Sequence, residues 1–420
     1  MSRKDGGKAV RLTTFLRKIL RLTRTIIEGV QLEKIDEEQH IVIAARARWR
    51  RVRCGSCGAR AVRLHGLQGK TRRWRHLGMF GQQVLLTCRV HRVYCRRCGV
   101  KTMAVPWAQP GSMFTRIFEN EVAWFLQRTD QTTTAKYFGI SWMTAGRIAQ
   151  RVVAEELDGS LLKDLRFLGV DEVSYGRPRK FLTVVVDHER GRVIWAHEGQ
   201  SSATLGSFFQ QLGAEQREQI LVVSIDMDEA FKKAIQQWLP NAEIVYDRFH
   251  VVQLLNRAVD EVRRAEFRPI EGKSREALKA SRWPLLKNPW NLTRRDRAKL
   301  SSVQQTNKRL YRAYLLKETF QRVFACRNVH RANKEFKDWF AWARRSRLAP
   351  FKRLAQTLHT HWAGIRRFLE YGLTNAPVEG MNSKIRMISH RAFGFHSAEA
   401  LVAMIMLCCS GIQLLPLGHG

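Results

Sequence analysis

The sequence predicts a multidomain protein in which a small cysteine-bearing β module and a helical segment precede an α/β domain with a long helical insertion. Three observations predict this architecture. Two Cys-x-x-Cys pairs enclose Arg-rich, strand-like runs, apolar strands ending in acidic residues follow in the middle of the chain, and a basic helical stretch separates these strands from the last helices. A chain of 420 residues exceeds what one hydrophobic core holds, so several domains are expected.

The charge of the chain predicts a polyanionic partner. The formal net charge is +36 and the pI is about 10.8, so we expect binding that weakens steeply with salt. Nucleic acid is favoured over an anionic membrane, because no apolar segment reaches the roughly 20 residues of a spanning helix.

The N-terminal segment, residues 1–40, is basic and contains apolar residues at helical spacing, which predicts a short amphipathic helix. It lacks the apolar core of a secretory signal, so we expect a cytosolic protein. Eight cysteines in so long a chain fit metal ligation in a reducing compartment better than a disulfide framework.

Residues 41–105 are predicted to form a zinc ribbon. Cys54 and Cys57 form one Cys-x-x-Cys knuckle, and Cys95 and Cys98 form the other. Four thiolates at this spacing make a closed tetrahedral site for one structural Zn²⁺. The alternative is four reduced core thiols, which the Gly, Ser and Arg residues between the cysteines disfavour.

Arginines and aromatic residues interleave on this ribbon, and this pattern predicts a DNA-binding face. Arg72, Arg73 and Arg75 lie beside Trp74 in its central run. Guanidinium groups bind phosphates bidentately, while aromatic rings stack or pack beneath them. A merely solvated basic surface is the alternative interpretation.

Residues 106–157 are predicted to contain a helix-turn-helix. Gly139 suits the turn, and Ser141 suits the N-cap of the second helix. Thr144, Arg147 and Gln150 would then face outward on that helix. A plain helical hairpin fits the pattern as well, and the charge of the chain favours DNA binding.

The α/β domain begins at residues 165–255, where apolar runs end in carboxylates. Residues 167–170 end at Asp171, residues 220–225 end at Asp226, and a hairpin follows Asp171. Side chains at strand ends converge on one edge of a mixed sheet. A carboxylate in a strand is costly unless it has a partner, and the expected partner is a cation.

A third carboxylate, Glu379, lies in the last part of the domain, residues 371–420. Residues 374–397 read as a helix with an apolar stripe at Val378, Ile385 and Ile388, which leaves Glu379 on another face. Asp171, Asp226 and Glu379 together suit a cage for two Mg²⁺ ions, for which Mn²⁺ can substitute.

Other acidic residues leave alternatives open. Asp228 is a minor alternative to Asp226, although it suits the N-cap of the following helix. Asp247 ends a third apolar run, and it and His250 either lie near the metals or bind DNA. For Asp247, capping a helix that starts at Phe249 is the third alternative.

Four stretches of this sequence resemble a DDE transposase of the ISL3 insertion-sequence family. These are GVDEVS, SIDMDEAF, YDRFHVV and TNAPVEGMNSKIRMISHRAFGF, and the cysteine-bearing front half resembles that family's zinc-binding region. The resemblance implies an RNase H-like core with an α-helical insertion, and DNA cutting and joining at element ends. It assigns the catalytic triad to Asp171, Asp226 and Glu379.

The helical insertion, residues 256–370, is strongly basic and is expected to hold most of its tryptophans in its core. Its loop-broken run at residues 265–293 suits contact with the DNA backbone. Lys384, Arg386 and Arg391 on the glutamate helix are also expected to contact DNA.

We therefore expect a transposase that binds the terminal inverted repeats and target sites of double-stranded DNA as a dimer or larger assembly. An RNase H-like nuclease and a catalytically inactive DNA-binding regulator are the alternatives.

Overall fold

The computed structural model describes residues 11–66, 68–157, 159–176, 180–267, 273–326, 328–373, 376–392, 394–395 and 397–416. The chain divides into two compact units. One comprises Met1–Glu156 with Gln413–Gly420, and the other comprises Leu157–Ile412. No helix in the described ranges is long and apolar enough to cross a membrane.

The first unit opens with the predicted amphipathic helix, α1 (Leu12–Ile19). A four-stranded sheet follows in the order β1-β2-β5-β4, built from β1 (Thr25–Ile35), β2 (Glu38–Ala47), β4 (Lys70–Met79) and β5 (Gln82–Val90). The sequence did not indicate β1 or this strand order. One face of the sheet is buried on apolar residues such as Ile43, Val84 and Leu86.

A second, three-stranded sheet carries the cysteine knuckles. It has the order β3-β6-β7, from β3 (Arg63–Leu64), β6 (Arg92–Cys95) and β7 (Gly99–Thr102). Both β6 pairings are antiparallel. The range predicted as a zinc ribbon, residues 41–105, therefore contributes strands to both sheets, and the cysteine knuckles go with the smaller one.

Three helices complete the first unit: α2 (Arg116–Arg128), α3 (Gln131–Phe138) and α4 (Trp142–Glu156). The side chain of Asp130 caps α3, and Gly139 ends it in the left-handed conformation with φ +56°. The Ser141 hydroxyl accepts a hydrogen bond from the Thr144 N–H at 3.1 Å, so the predicted cap of α4 is confirmed.

The second unit contains a five-stranded mixed sheet in the order β10-β9-β8-β11-β12. Its strands are β8 (Phe167–Gly176), β9 (Lys180–Asp187), β10 (Arg192–Glu198), β11 (Val222–Ile225) and β12 (Glu243–Tyr246). The first three pair as an antiparallel meander, and β11 is parallel to both β8 and β12. Numbered along the chain this is the order 3-2-1-4-5, which is the RNase H-like arrangement.

Helices lie between and after these strands. α5 (Ser202–Gln211), α6 (Ala214–Glu218) and α7 (Glu229–Trp238) fall within the strand-bearing part of the chain. The insertion contributes α8 (Arg248–Phe267), α9 (Lys273–Ala280), α10 (Arg282–Leu286), α11 (Arg294–Thr306), α12 (Lys308–Ala325), α13 (Val329–Arg345), α14 (Ala349–Thr360) and α15 (Trp362–Tyr371). The chain ends with α16 (Ala376–Arg391) and α17 (Ala398–Cys409).

The expectation that the insertion's tryptophans are core residues holds for only part of the set. Trp339 is 1% exposed, and the ring of Trp362 stacks on Phe336 at 3.8 Å. Trp283 and Trp290 are instead 64% and 68% exposed, so they are exceptions to the expectation that most of these tryptophans are buried. Trp283 lies in the short helix α10, and Trp290 lies in a 3-10 helix of three residues, Pro289–Asn291.

Candidate active site

The strand register brings two carboxylates to one edge of the five-stranded sheet. Ser224 of β11 pairs with Gly169 of β8, so continuing this parallel register by two residues sets Asp226 beside Asp171. Asp226 directly follows β11, and Asp171 lies within β8. The predicted convergence of these two residues follows from the topology.

Helix α16 carries Glu379 to the same place through a close contact with β8. A Cβ atom at Gly169 would lie 2.4 Å from Cγ2 of Val378, which is closer than real atoms approach. Only glycine at this position lets the helix come so near the strand. Gly169 and Asp171 share one face of β8, and Val378 immediately precedes Glu379.

Asn382 fixes the orientation of Asp171. Its Nδ2 donates a hydrogen bond of 2.5 Å to Oδ2 of Asp171, and the Glu172 N–H donates one of 2.7 Å to Oδ1. Asn382 is 3% exposed and lies one helical turn after Glu379. The sequence placed Asn382 on the face of Glu379 but indicated no role for it.

The electrostatics link the three carboxylates. Burial raises the pKa of Asp171, of Asp226 and of Glu379. The charge of Asp171 raises the pKa of both Asp226 and Glu379 further, and the imidazole of His250 acts in the opposite direction on all three. Among the three carboxylates, Asp171 is thus the one whose charge raises the pKa of both of the others.

These three carboxylates offer the oxygen ligands that a hard divalent cation prefers. Asp171, Asp226 and Glu379 form no ion pair with Lys or Arg in the ranges that the structure describes. Their ligand atoms are not drawn to within 4.8 Å of one another as a set of three, whereas the knuckle cysteines are.

Glu172 also belongs to this acidic neighbourhood. Burial raises its pKa to about 7, with further contributions from the charges of Asp226, Asp228 and Asp171. Side chains alternate between the two faces of a strand, so Glu172 and Asp171 point to opposite faces of β8, yet the charges of the cluster still raise the pKa of Glu172.

Asp228 and Asp247 both accept backbone hydrogen bonds at the start of a helix. Oδ1 of Asp228 accepts hydrogen bonds from the N–H groups of Ala230 at 2.7 Å and Phe231 at 3.1 Å, which is the expected cap of α7. Oδ1 of Asp247 accepts from the Phe249 N–H at 3.2 Å, as expected of a helix cap. The buried Oδ2 of Asp247 has no hydrogen-bond partner among the described residues, and its charge raises the pKa of Glu379.

The four knuckle cysteines form a separate cluster in the first unit. All four Sγ atoms lie within 4.8 Å of one another, and those of Cys57 and Cys95 are 3.6 Å apart. Tetrahedral ligation at a Zn–S length of about 2.3 Å requires sulfur atoms roughly 3.8 Å apart, so the cluster fits zinc. Gly58 and Gly99, which follow the second cysteine of each knuckle, both have φ +68°.

The arginines of β4 have different surroundings. Arg72 is exposed, Arg73 forms an ion pair of 3.0 Å with Glu33, and Arg75 donates to the carbonyls of Phe138 at 2.6 Å and Gly139 at 2.8 Å. The guanidinium of Arg75 therefore holds the turn that precedes α4. No local pattern predicts this contact, because its two partners are more than 60 positions away in the sequence.

The other predicted DNA contacts lie on α4 and α16. Arg147 and Gln150 are exposed, while the Thr144 hydroxyl is within 2.8 Å of the Ser141 hydroxyl. Nζ of Lys384 donates to the Cys408 carbonyl at 2.6 Å. Arg386 is exposed and lowers the pKa of Asp171, and Arg391 is half-buried.

A helix-turn-helix beside a zinc ribbon, and a separate RNase H-like sheet with converging carboxylates, define an enzyme that acts on DNA. Family models match these three parts of the chain in the same order. They describe a zinc-finger of transposases IS204, IS1001, IS1096 and IS1165 at residues 50–98, a helix-turn-helix domain of transposase family ISL3 at 103–153, and an ISL3 transposase domain at 168–405.

Full-length relatives are similar over most of the chain. The transposase for insertion sequence element IS1557 of Mycobacterium tuberculosis is 37% identical over 92% of this chain and 93% of its own length. The transposase for element IS1001 of Bordetella parapertussis is 31% identical over 82% of this chain and 86% of its own length. The catalytic core domain of BIV integrase is 15% identical with a TM-score of 0.16, over 34% of this chain and 97% of that one.

The chain belongs to the ISL3 family of insertion-sequence transposases. It is a DDE transposase, an enzyme that cleaves DNA and transfers strands.

Proposed function

We propose that Asp171, Asp226 and Glu379 hold two Mg²⁺ ions and catalyse cleavage and strand transfer at the ends of an insertion sequence. The observation that carries the proposal is the position of Asp171. Its charge acts on both other carboxylates, and Asn382 from the helix of Glu379 orients it.

Each carboxylate has a distinct part in this proposal. Asp171 would be a ligand shared by the two ions, while Asp226 and Glu379 would each hold one of them. When bound, the ions supply the positive charge that activates an attacking oxygen and stabilises the leaving one in phosphoryl transfer. No side chain acts as nucleophile, since water and then a DNA 3′-hydroxyl take that part.

The first unit would bind the terminal inverted repeats. Strand β4 of the four-stranded sheet presents Arg72 and Arg73, and α4 presents Arg147 and Thr144, with Arg75 holding the turn before α4. Lys384, Arg386 and Arg391 would contact DNA on the helix that carries Glu379. Bringing two element ends together requires a dimer or a larger assembly.

Strand cleavage of a labelled duplex that carries the element end tests the triad. We expect wild-type protein with Mg²⁺ or Mn²⁺ to nick at the element boundary. Asp171→Asn, Asp226→Asn and Glu379→Gln should bind the duplex but cut it at least roughly 100-fold more slowly, the scale of losing one key electrostatic contact in an active site.

Asp228→Asn is the matched control, because asparagine also caps helices and so preserves the start of α7. It should cut at close to the wild-type rate. If Asp228→Asn lost cleavage while Asp226→Asn kept it, the second ligand would be Asp228. Wild-type protein that binds the end and never cuts it would be the regulator considered above.

A further inference from the structure

Trp283 and Trp290 are exposed although the insertion has an aromatic core of its own. That core contains Trp339 and the stacked pair of Phe336 and Trp362. Trp283 and Trp290 keep about two thirds of their surface in solvent, so packing of the insertion does not account for them. A tryptophan side chain left in water forgoes one of the largest burial free energies available to a residue.

Hydrogen bonds from α12 hold the segment that carries these tryptophans. Lys317 is fully buried on α12, and its Nζ donates to the carbonyls of Leu285 at 2.8 Å and Lys287 at 3.0 Å. Nε2 of Gln321 donates to Oδ1 of Asn288 at 3.1 Å. Nζ of Lys317 also forms an ion pair of 2.7 Å with Oε1 of Glu318, so the buried ammonium group is compensated and holds the segment in place.

The surroundings of the segment are strongly cationic. Residues 273–306 contain nine Lys and Arg residues against two acidic ones. Those exposed to solvent include Arg282, Arg294, Arg295, Arg297 and Lys299. The guanidinium of Arg282 lies 5.2 Å from the ring centroid of Trp283. This charge favours a polyanion and opposes docking of a second copy of so basic a chain.

We propose that Trp283 and Trp290 stack on unpaired bases of the DNA strand at the cut or distorted element end. Every base offers a π-face, so aromatic stacking tolerates any sequence, and the neighbouring cations bind the phosphates. Bases within an intact duplex are already stacked and offer no free face. The inference rests on the proposed function, since cutting and joining are the steps that leave bases unpaired.

Direct binding to DNA without divalent cations tests this independently of cleavage. Full-length protein is titrated into a single-stranded oligonucleotide that contains 2-aminopurine, and separately into the matched duplex. The variants are Trp283→Ala, Trp290→Ala and the corresponding Phe substitutions. Phe80→Ala removes an aromatic side chain that is 95% exposed on the first unit and serves as the control.

We expect each Ala variant to bind the single strand roughly 5- to 150-fold more weakly, the range for loss of one stacked base. Duplex binding should change little, the Phe variants should retain most of the affinity, and Phe80→Ala should match wild type. Unchanged single-strand binding in both Ala variants overturns the inference, as does an equal loss on duplex.

Loss of self-association in sedimentation, with single-strand binding intact, also overturns the inference and assigns the segment to a protein interface. Thermal melting of each variant checks its fold. Because no step here requires cutting, a wild-type protein that stacks on bases but does not cleave would refute only the proposed function.

Discussion

Asp171 accepts one hydrogen bond from the Asn382 amide and one from a backbone N–H, and neither donor carries a full charge. Neutral donors fix the direction of a carboxylate without cancelling its charge. A lysine in place of Asn382 would form an ion pair and compete with a cation for the same oxygens. The amide therefore orients the group and leaves its charge available.

Asn382→Ala should lower the affinity for Mg²⁺ more than it lowers the affinity for DNA. Loss of a residue that orients a metal ligand costs roughly 10- to 100-fold in metal affinity or activity. Cleavage rates measured against Mg²⁺ concentration should shift to higher concentration, with saturating rates partly recovered. Ser383→Ala, at an exposed neighbouring position, is the control. An unchanged Mg²⁺ dependence would rule out the orienting role.

The acidic cluster should make the metal-free protein less stable as the pH rises toward neutrality. Burial raises the pKa of Asp171, Asp226 and Glu379, and raises that of Glu172 to about 7. Carboxyl groups with a raised pKa bind protons more tightly in the folded state than in the unfolded state. The stability that this proton binding contributes is therefore lost as the pH rises from the ordinary carboxyl pKa to about 7, the pKa of Glu172.

Mg²⁺ should reverse this loss, because a bound cation replaces the protons. The melting temperature at pH 7.5 should rise on addition of Mg²⁺, and the increment should shrink at pH 5.5. Melting curves at both pH values with and without Mg²⁺ provide the measurement. Equal increments in wild type and in Asp171→Asn would show that the stabilisation arises elsewhere.

At the level of elements, the contact between β8 and α16 positions the glutamate. Gly169→Ala places a methyl group against Val378 and against His188, whose Nε2 would lie 2.7 Å away. Overpacking of this kind costs about 1–3 kcal/mol and should displace α16. We expect lower thermal stability together with slower cleavage.

The double variant Gly169→Ala/Val378→Ala is the matched test of this contact, because it removes the methyl group that Cβ would meet. It should recover part of the cleavage rate lost in Gly169→Ala. A double variant that is no better than Gly169→Ala would mean that His188 or the strand backbone, and not α16, carries the strain.

Local signals in the sequence predicted many elements because those signals act over a few residues. The hairpin after Asp171, the Asp228 cap of α7 and the Ser141 cap of α4 each depend on neighbours within the same turn. The Arg75 contact, the glycine requirement at Gly169 and the strand order β1-β2-β5-β4 depend on distant partners. Hydrophobic periodicity contains no information about such pairings.

The same difference between local signals and distant contacts applies to the site. Asp171, Asp226 and Glu379 were proposed from strand ends, helix faces and a family resemblance. The side chain that joins two of these elements, Asn382, was not singled out, since an asparagine on a polar helix face has no distinguishing local pattern. The exposure of Trp283 and Trp290 was missed because composition predicts burial of tryptophan regardless of its surroundings.

For the whole molecule, removal of zinc should affect the two compact units differently. The cysteine cluster lies in the first unit, and a structural zinc site contributes directly to folding. Cys57→Ser should lose about one equivalent of bound zinc and most binding to the element end. The second unit should keep its melting transition.

Cys326→Ser is the control, since Cys326 is a half-buried cysteine of the insertion outside the cluster. Zinc content by elemental analysis and calorimetric melting give the two readouts. A Cys57→Ser protein that retains stoichiometric zinc would contradict the assignment of that thiol as a ligand.

The pairing of Asn382 with Asp171 joins residues 211 positions apart in the chain, with the insertion between them. At about 5–20 residues per second, a ribosome needs roughly 10–40 s to travel that distance. The helix-turn-helix and zinc ribbon leave the ribosome well before the acidic cluster is complete. A chain interrupted during this interval would occupy an element end without cutting it, and would act as an inhibitor of the finished enzyme.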